Sequence, residues 1–533
     1  MRVKTTLDCV LVGYSEGDLS ESMEKAVKYS RHSGTYGYLR QNSVVWRGKR
    51  VSYADLLNGV LAQATGTNPH FHVANIPQLG CCYLKSYLER RGFTTEIVNF
   101  VNQERDRFAQ LLDDSPLAVG ISTTFYTDNT ACSELTRYVR ERSPATRVII
   151  GGPHILNLRN DFTDESLEHF LHAIGADAYV VDAQGEQTLA QALSVLRANR
   201  DCDLSTVPNL ILPRKGGFLH TERRPEHNDL NEDAIEWSRL PSDLIVPTSQ
   251  VRTSRGCSFA CAFCRYPVLG GRLELAEVET VRRELRTLHA MGVRHLIFVD
   301  DTFNVPIPRF KRLCRMMIKE GFGFRWYSYF RCASADDEAL DLMQDAGCAG
   351  VFLGIESGDQ TVLDNMNKAA NVGRMLEGIH RLNKRDIITF ACMVVGFPGE
   401  TAKSVANTVR FINEAAPTYY RAELYFHDPK APISSRSAEF GFKGRDFGWR
   451  HSSMQWQEAL HHILEIYRDV KESTVLPIAG FDFWSLPYLM GQGLTCDQIR
   501  RFTAVAQESL LSGMTDDSWD AARHADRLVS VFQ

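Results

Sequence analysis

The chain has 533 residues, too many for one ordinary hydrophobic core, and this length predicts about two to four domains. Hydrophobic residues make up 44% and charged residues 23%, so neither a disordered nor a fibrous protein is indicated. A formal net charge of -5, with scattered lysine and arginine, argues against a nucleic-acid partner. No apolar run reaches the roughly 20 residues of a membrane span. The opening MRVKTTLDCVLVGY predicts a strand instead of a signal-peptide core, so we expect a soluble, cytoplasmic protein.

Residues 7–209 alternate short strand-like runs with amphipathic helical stretches. The predicted strands are LDCVLVGY, TTEIVNF, PLAVGISTT, TRVIIGGPH and ADAYVVDAQGE, and helical stretches such as CCYLKSYLERRG separate them. Alternating strands and helices predict an α/β fold with a parallel, doubly wound, Rossmann-like sheet.

Several of these predicted strands end in small or polar residues, which would meet at the carboxyl edge of the sheet. They are Ser122, Thr123, Thr124, Gly151, Gly152, Pro153, Asp182, Gln184, Gly185 and Glu186. In open α/β sheets this edge forms the ligand crevice, and such a row of positions suits a large cofactor. The alternative is that glycine and serine here only form turns.

A polar segment follows, and then a second series of strands and helices begins. Six predicted strands lie in VRTSRGCSF, RHLIFVDDTF, FRWYSYFR, AGVFLGIES, TFACMVVGFPGE and YRAELYFHD. Six units, fewer than the eight of a full barrel, predict a partial (β/α)6 barrel with its chemistry at the strand carboxyl ends. We predict a first domain at 1–210, a linker at 211–248, the barrel at 249–430 and a helical C-terminal cap over the barrel mouth at 431–533.

The 13 cysteines are too sparse for a disulfide scaffold, but three of them share one loop. Cys257, Cys261 and Cys264 stand in RGCSFACAFC, directly after a predicted strand. Such a loop can bind three irons of an iron–sulfur cube and leave the fourth iron open for chemistry. A zinc site is the alternative, although no fourth Cys or His follows closely, and inert packing is another.

This C-x3-C-x2-C loop resembles the signature of the radical S-adenosylmethionine (SAM) superfamily. VDDTF, GIESG and GFPGE resemble segments that bind SAM on later strands of that family. The resemblance implies a [4Fe–4S] cluster on the three cysteines and a SAM molecule on the open iron. By the same resemblance the SAM-binding candidates are Phe263, Asp300, Asp301, Arg331 and Glu356. Arg331 and Glu356 have alternative roles as an ordinary ion pair and a structural acceptor.

The first series resembles the cobalamin-binding domain that precedes the barrel in one large radical SAM branch. Its IPQLGCCYLKSYLERRG, ISTT, GGPH and DAQGE fit that branch. The cobalamin-binding candidates are Leu79, Gly80, Ser122, Thr123, Thr124, Gly151, Gly152, Gln184, Gly185 and Glu186. No D-x-H-x-x-G motif supplies the usual histidine below the cobalt, and His72 and His154 are conceivable substitutes.

Over nearly its full length the chain is similar to the phosphinothricin P-methyltransferase family of cobalamin-dependent radical SAM enzymes. The motifs are LDCVLVGYSEGD, GTYGYLR, FVDDTFNVP, FRWYSYFR, VFLGIESG with VLDNMNK, GFPGET, and Trp449, His451 and Met454 of a late W-x-H-x-x-M. Trp326, Tyr327, Tyr329 and Tyr425 are candidates for lining the substrate space or for core packing.

This resemblance implies a methyltransferase for a natural-product intermediate. One SAM would methylate cobalamin, and another would give a 5′-deoxyadenosyl radical that takes hydrogen from an unactivated carbon or a phosphinate phosphorus of a small-molecule substrate. A flavodoxin or ferredoxin would supply electrons. The alternatives are a cobalamin-dependent cyclisation or rearrangement without methyl transfer, a methylthiotransferase, and a non-catalytic cobalamin-binding sensor.

Overall fold

The computed structural model describes residues 7–17, 19–30, 32–126, 128–477, 481–516 and 518–533. Residues 1–6 of the opening stretch and Asp18 of LDCVLVGYSEGD lie outside the described residues. The chain divides into two compact units. The first comprises the described residues of Met1–Gly17, Ala74–Ile245 and Glu279–Met291, and the second those of Asp18–Val73, Val246–Val278 and Gly292–Gln533.

Up to residue 245 the described chain forms nine strands and ten α-helices. The strands are β1 (Cys9–Tyr14), β2 (Val44–Trp46), β3 (Lys49–Val51), β4 (Thr95–Phe100), β5 (Ala118–Ser122), β6 (Arg147–Gly151), β7 (Ala178–Val180), β8 (Leu210–Arg214) and β9 (Gly217–His220). The helices are α1 (Leu19–Tyr29), α2 (Gly34–Gln41), α3 (Tyr53–Thr65), α4 (Leu79–Arg90), α5 (Val101–Asp113), α6 (Thr130–Arg142), α7 (Pro153–Asp161), α8 (Asp164–Ile174), α9 (Glu186–Ala198) and α10 (Ser242–Ile245).

The described residues after 245 form twelve strands and eleven α-helices. The strands are β10 (Thr248–Val251), β11 (Ser254–Arg255), β12 (Glu274–Leu275), β13 (His295–Phe298), β14 (Arg325–Phe330), β15 (Cys348–Glu356), β16 (Ile388–Val395), β17 (Tyr419–Leu424), β18 (Lys443–Arg445), β19 (Gly448–His451), β20 (Met454–Gln455) and β21 (Thr474–Val475). The helices are α11 (Tyr266–Leu269), α12 (Val278–Met291), α13 (Ile307–Glu320), α14 (Asp337–Asp345), α15 (Gln360–Asn365), α16 (Val372–Asn383), α17 (Ala402–Ala415), α18 (Trp456–Asp469), α19 (Ser485–Gly491), α20 (Cys496–Thr515) and α21 (Ala525–Val529).

The first unit contains a seven-stranded sheet in the order β4-β1-β5-β6-β7-β8-β9. The five strands predicted from the sequence are β1, β4, β5, β6 and β7, and they pair in parallel. Their side chains are almost continuously apolar and buried, as is typical of a parallel sheet covered on both faces. The predicted Rossmann-like fold is confirmed.

Two strands of this sheet come from the polar segment predicted as a linker. β8 and β9 form an antiparallel hairpin on the β7 edge, with Tyr179 opposite Ile211. β8 places Leu210, Ile211 and Leu212 in the interior, and this short apolar run is the signal for the strand.

The second unit contains another seven-stranded sheet, in the order β10-β13-β14-β15-β16-β17-β21. Of its first six strands, β13 to β17 are predicted ones, whereas β10 lies just before the first predicted run VRTSRGCSF and shares only Val251 with it. Every neighbouring pair is parallel. The short β21 adds a seventh parallel strand beside β17. The predicted partial (β/α)6 barrel is confirmed, and its strands all end at one edge.

The helical C-terminal cap is also confirmed, but α19 does not cover the mouth where the strands end. Thr248, the first residue of β10, donates from its hydroxyl to the carbonyl oxygen of Pro487 at 3.2 Å. A Cβ atom at Gly491 would lie 2.5 Å from the same hydroxyl oxygen. α19 therefore buries its apolar residues against the end from which the strands start.

The described residues between 19 and 73 belong to the second unit, although in the chain they lie between β1 and β4 of the first sheet. Arg40 on α2 donates to the carbonyl oxygens of Gly513 and Met514 on α20 at 3.1 and 3.0 Å. Periodicity in the sequence carries no signal for this association, because the partners lie more than four hundred residues apart. The predicted domain boundaries stay a prediction.

A buried carboxyl group in the first unit makes stability depend on pH. Glu284 on α12 is 5% exposed and accepts a hydrogen bond from the indole Nε1 of Trp237 at 2.8 Å. Burial raises its pKa to about 7 from an ordinary 4.5, although the Trp237 hydrogen bond opposes the shift. Since the folded state holds this proton more tightly than the unfolded chain, the free energy of unfolding decreases as the pH rises from 4.5 to about 7.

We predict that Glu284→Gln flattens this part of the pH dependence, because the amide still accepts from Trp237 but does not ionise. Urea unfolding of wild type and variant, measured across the window, should show the variant gaining relative stability as the pH rises. Glu141→Gln, an exposed change on α6 in the same unit, serves as the matched control. A difference between wild type and Glu284→Gln that stays constant with pH would contradict the assignment.

Candidate functional site

The three clustered cysteines lie in the loop after β11, and backbone hydrogen bonds hold this loop in place. The backbone N–H of Ala262 donates to the carbonyl oxygen of Met366 at 2.7 Å. The carbonyl oxygen of Ala262 accepts from the N–H of Ile433 at 2.9 Å. The side-chain amide of Asn367 donates to the carbonyl oxygen of Ala260 at 2.8 Å. These bonds tie the loop to the segments around Met366 and Ile433.

Gly256 begins this loop in a conformation that other residues avoid. Its φ is +82°, and a Cβ atom there would lie 2.5 Å from the carbonyl oxygen of Arg272. Glycine is needed at this position because both the backbone angle and the close approach exclude a side chain.

The cysteine thiols fit the donor set of an iron–sulfur cluster. Burial raises the pKa of Cys261 and Cys264, and the neighbouring cysteines of the loop raise these two values further. Lys368 and Arg331 act in the opposite direction and lower the pKa of Cys261. Because thiolates are the ligands of such clusters, these two cations favour the form that binds iron.

A single metal ion is the alternative occupant of the cysteine loop. Among the described residues, no three His, Cys, Asp or Glu side chains converge as ligands of one ion would. In a cube each thiolate binds a different iron, so the thiols stand farther apart than the ligands of a single zinc.

The two aspartates after β13 have different surroundings. Asp300 is 1% exposed, and its oxygens accept from the backbone N–H groups of Thr253 and Ser254 at 2.6 and 2.9 Å. The hydroxyl of Thr253 donates to Asp300 as well. Asp301 is exposed, and its partner within the protein is the hydroxyl of Tyr266. Asp300 is thus bonded within the protein, whereas Asp301 is accessible to a ligand.

Glu356 ends β15 in the left-handed region, with φ at +67°. Its carboxylate pairs with the ammonium group of Lys368 at 2.8 Å, and both side chains are about nine-tenths buried. Gly354 leaves the space for this pair, because a Cβ atom there would lie 2.6 Å from the Glu356 oxygen. A strained residue that carries a buried charge is typical of a functional position.

Arg331 and Phe263 lie around the same pair. Arg331 donates to the carbonyl oxygen of Lys368, and its guanidinium lies 3.6 Å from the ring centre of Phe259. The ring of Phe263 lies 5.7 Å from the Lys368 ammonium and 6.5 Å from the ring of Phe397, which belongs to GFPGE. The structure thus brings together the segments that carry Phe263, Arg331, Glu356 and Phe397. The sequence analysis missed Lys368, and its position in VLDNMNK was the available signal.

The carboxyl edge of the first sheet forms a shelf of small residues. Gly80, at the start of α4, approaches so closely that a Cβ atom would lie 3.3 Å from the hydroxyl of Ser122 and 3.7 Å from that of Thr124. Gly152 has φ at +105°, and a Cβ atom there would lie 2.9 Å from the Thr123 hydroxyl. Such a shelf of small, partly exposed residues leaves room for a large cofactor.

Two of the predicted contact residues lie behind this shelf. Thr123 is 0% exposed and donates from its hydroxyl to the carbonyl oxygen of Gly151 at 2.8 Å. Leu79 is 6% exposed and packs inside. These two side chains support the edge, while Gly80, Ser122, Thr124, Gly151, Gly152, Gln184, Gly185 and Glu186 are at least partly exposed.

Residues from the predicted linker hold the last part of the shelf. The backbone N–H of Asn228 donates to the side-chain oxygen of Gln184 at 2.9 Å, and its amide donates to Glu186 at 2.8 Å. The buried carboxylate of Glu226 accepts from the N–H groups of Gln187 and Thr188 at 2.8 Å each, at the start of α9. The sequence analysis missed both residues because that segment shows no periodicity.

The two histidines considered as cobalt ligands lie in different units. His154 lies at the shelf, where its Nε2 bonds with the side-chain oxygen of Asn129 at 2.7 Å and burial lowers its pKa. His72 belongs to the second unit.

The predicted aromatic and late motifs also have defined places in the second unit. Trp326, Tyr327 and Tyr425 are at most 3% exposed and belong to the core, whereas Tyr329 is partly exposed. The indole of Trp449 donates to the carbonyl oxygen of Tyr425 at 2.7 Å, and Nε2 of His451 lies 3.2 Å from the carbonyl oxygen of Gly396. The W-x-H-x-x-M motif therefore supports the strand ends that carry GFPGE.

Comparisons with known proteins agree with this arrangement. Residues 251–412 match the profile of the radical SAM superfamily, and residues 73–193 match that of the B12 binding domain. The chain is 26% identical over 347 residues to an uncharacterised methyltransferase of Pyrococcus horikoshii, covering 63% of this chain and 72% of that one. It is 24% identical to an anaerobic magnesium-protoporphyrin IX monomethyl ester cyclase of Rubrivivax gelatinosus, covering 75% and 76%.

A solved structure shows a similar fold. The radical S-adenosylmethionine methyltransferase TsrM from Kitasatospora setae, with a tryptophan substrate and a SAM analogue bound, superposes with a TM-score of 0.57 and 21% identity. The superposition covers 68% of this chain and 73% of that one. Within the described residues, no helix combines the length and apolar character of a membrane span.

We predict that Cys261→Ala loses the cluster, because two remaining thiolates do not hold a cube. Iron content should fall well below about four atoms per chain, together with the visible absorption of the reconstituted protein. Cys314→Ala, a buried cysteine on α13 outside the loop, is the matched control and should keep both. Full iron content in Cys261→Ala would contradict the ligand assignment.

Proposed function

We propose that this chain, which is a cobalamin-dependent radical SAM enzyme, methylates an unactivated carbon or a phosphinate phosphorus of a small natural-product intermediate. Its cofactors are a [4Fe–4S] cluster, SAM and cobalamin. When bound, the cluster supplies the electron that cleaves SAM to a radical, and cobalamin carries the methyl group. The observation that carries the proposal is that one chain has both a loop of three cysteines, two of them partly exposed, and a small-residue shelf on a Rossmann-like sheet.

Two of the similar proteins support methyl transfer. A methyltransferase of Pyrococcus horikoshii is among the similar sequences, and a radical SAM methyltransferase has a similar fold. The phosphinate option comes from the motifs shared with the phosphinothricin P-methyltransferase family. A flavodoxin or ferredoxin is the proposed electron donor.

Different residues around the cysteine loop suit different chemical groups of SAM. Asp301 is accessible and suits an ammonium group, since a carboxylate forms a strong charge-assisted hydrogen bond with it. Arg331 and Lys368 supply positive charge beside Cys261 and suit a carboxylate. The ring of Phe263 offers an apolar face next to them. Asp300 contributes by fixing the loop.

One specific observation favours a second candidate function. The cyclase of Rubrivivax gelatinosus covers 75% of this chain, more than the methyltransferase of Pyrococcus horikoshii does. A cyclisation or rearrangement would use the cluster and SAM in the same way, with no methyl group in the product.

The products of SAM distinguish these functions without knowledge of the substrate. We predict that the reconstituted, cobalamin-loaded enzyme under strong reductant forms both 5′-deoxyadenosine and S-adenosylhomocysteine, because a methyltransferase both cleaves SAM and demethylates it. Liquid chromatography with mass spectrometry measures both. Deoxyadenosine alone would favour cyclisation or rearrangement, and neither product would favour a sensor.

Replacement of Asp301 tests the proposed contact with SAM. We predict that Asp301→Asn raises the SAM concentration for half-maximal deoxyadenosine formation by roughly tenfold, because one charge-assisted hydrogen bond is weakened. Asp345→Asn, at the exposed end of α14, is the matched control. An unchanged SAM requirement in Asp301→Asn would remove Asp301 from the site.

A further inference from the structure

The register of the second sheet arranges the barrel interior in layers. Tyr329 on β14 pairs with Phe352 on β15, which pairs with Phe390 on β16. Their ring centres lie 4.9 and 4.8 Å apart. Residues on the opposite face of the sheet pack outward, as Phe330 does against Phe310 of α13. The three paired rings therefore form an aromatic layer that faces the interior.

The next layers toward the carboxyl edge combine small residues with charged ones. Gly354 on β15 pairs with Cys392 on β16, which pairs with Arg421 on β17. One layer farther along, Val394 lies opposite Glu423. Of these five residues, all but Arg421 are partly exposed, while the residues between them are buried. The strands thus enclose a space above the aromatic layer.

A buried ion pair lies in these layers. Arg421 is 7% exposed, and its Nε lies 2.5 Å from Oε1 of Glu423. Neither of these two atoms has a hydrogen bond of good geometry within the described structure. Burial alone would lower the pKa of Arg421, but Glu423, Cys392 and Asp482 outweigh burial and raise it. The guanidinium therefore keeps its charge.

A second carboxylate joins this pair from the C-terminal segment that lines the same space. Asp482 accepts from the backbone N–H of Trp484 at 2.9 Å and is partly exposed. The Trp484 ring centre lies 4.9 Å from that of Tyr329 and stacks 6.2 Å from that of Phe352. Phe483 stacks on Phe390 at 5.7 Å. This segment closes the aromatic layer.

Carboxyl groups outnumber guanidinium groups among the described residues of this space. One guanidinium, Arg421, faces two carboxyl groups, Glu423 and Asp482. Burial raises the pKa of both carboxyl groups, and Arg421 only partly opposes the shift. Cys392 and Tyr38 also act on Arg421, and His72 acts on Asp482 as a cation that lowers its pKa. A cation placed between the two carboxyl groups could accept a contact from each of them.

We propose that this interior space, walled by Tyr329, Phe352 and Trp484, binds the ammonium group of an amine-bearing substrate between Glu423 and Asp482. Aromatic faces attract such a cation, and carboxylates accept its hydrogen bonds. Arg421 has a positioning role, because it fixes Glu423. The inference rests on the proposed function and names the substrate class of the same site.

Three probes of similar shape and different charge test the proposal: 2-phenylethylammonium, 2-phenylethanol and 3-phenylpropanoate. Equilibrium dialysis against the reconstituted holoenzyme at neutral pH measures their binding. We expect the ammonium probe to bind at least roughly tenfold more tightly than either of the others. Equal or tighter binding of the alcohol or the carboxylate, or no binding of the ammonium probe, would overturn the proposal.

Two substitutions locate the binding. Asp482→Asn keeps an acceptor for the N–H of Trp484, and Glu423→Gln keeps the side-chain shape. Each should reduce the preference for the ammonium probe by roughly fivefold or more. Glu377→Gln and Asp345→Asn, both exposed in the same unit, are the matched controls. If the preference for the ammonium probe is unchanged in both variants, the cation binds elsewhere and the assignment is wrong.

The dialysis experiment tests the substrate class, and the assay of SAM products tests the proposed function, so each can give a negative result without the other. If both SAM products form but the holoenzyme shows no ammonium preference, only the substrate class is wrong. If the ammonium probe binds as expected and neither product forms, the proposed function is wrong.

Discussion

The carboxylate of Asp300 joins the end of β13 to the residues that lead into the cysteine loop. It accepts from the backbone of Thr253 and Ser254, and Arg309 lies on the other side, donating to the Thr253 carbonyl oxygen at 2.8 Å. A buried carboxylate with these partners is costly to disturb, because removing one partner leaves a charge unsatisfied. The start of the loop is therefore fixed at the edge where the barrel strands end. At this edge Lys368 and Glu356 lie near Cys261, and Asp301 lies near Cys264.

The first unit also fixes residues at the carboxyl edge of its sheet, and it uses fewer charged groups to do so. Its cofactor shelf depends on the close approach of backbone, which Gly80 and Gly152 allow. Hydrogen bonds from Asn228 and to Glu226 then hold the α9 end of the shelf. The segment that supplies these two residues also adds β8 and β9 to the sheet. It thus builds the site instead of only connecting domains.

Within the barrel, charge and aromatic surface lie at different depths. The aromatic layer lies deepest, the Arg421–Glu423 pair lies above it, and the Glu356–Lys368 pair lies at the strand ends. A substrate held by its amine in the deeper layers would present its other end to the edge where the cysteine loop lies. This order of layers accounts for methyl transfer and for the cyclase alternative equally, since both need a radical formed above a fixed substrate.

The sequence by itself determined the two strand series, the parallel sheets and the three cysteines. Strand periodicity and ligand spacing are local properties, so they can be read without the fold. Tertiary structure alone decided that Asp300 fixes the loop while its neighbour Asp301 stays accessible, since adjacent residues on a loop point in different directions. It also decided that Lys368 pairs with Glu356, that residues 19–73 pack with the C-terminal helices, and that Arg421, Glu423 and Asp482 share one space. Those contacts join residues far apart in the chain, and only the register of the sheet and the packing of the core bring them together.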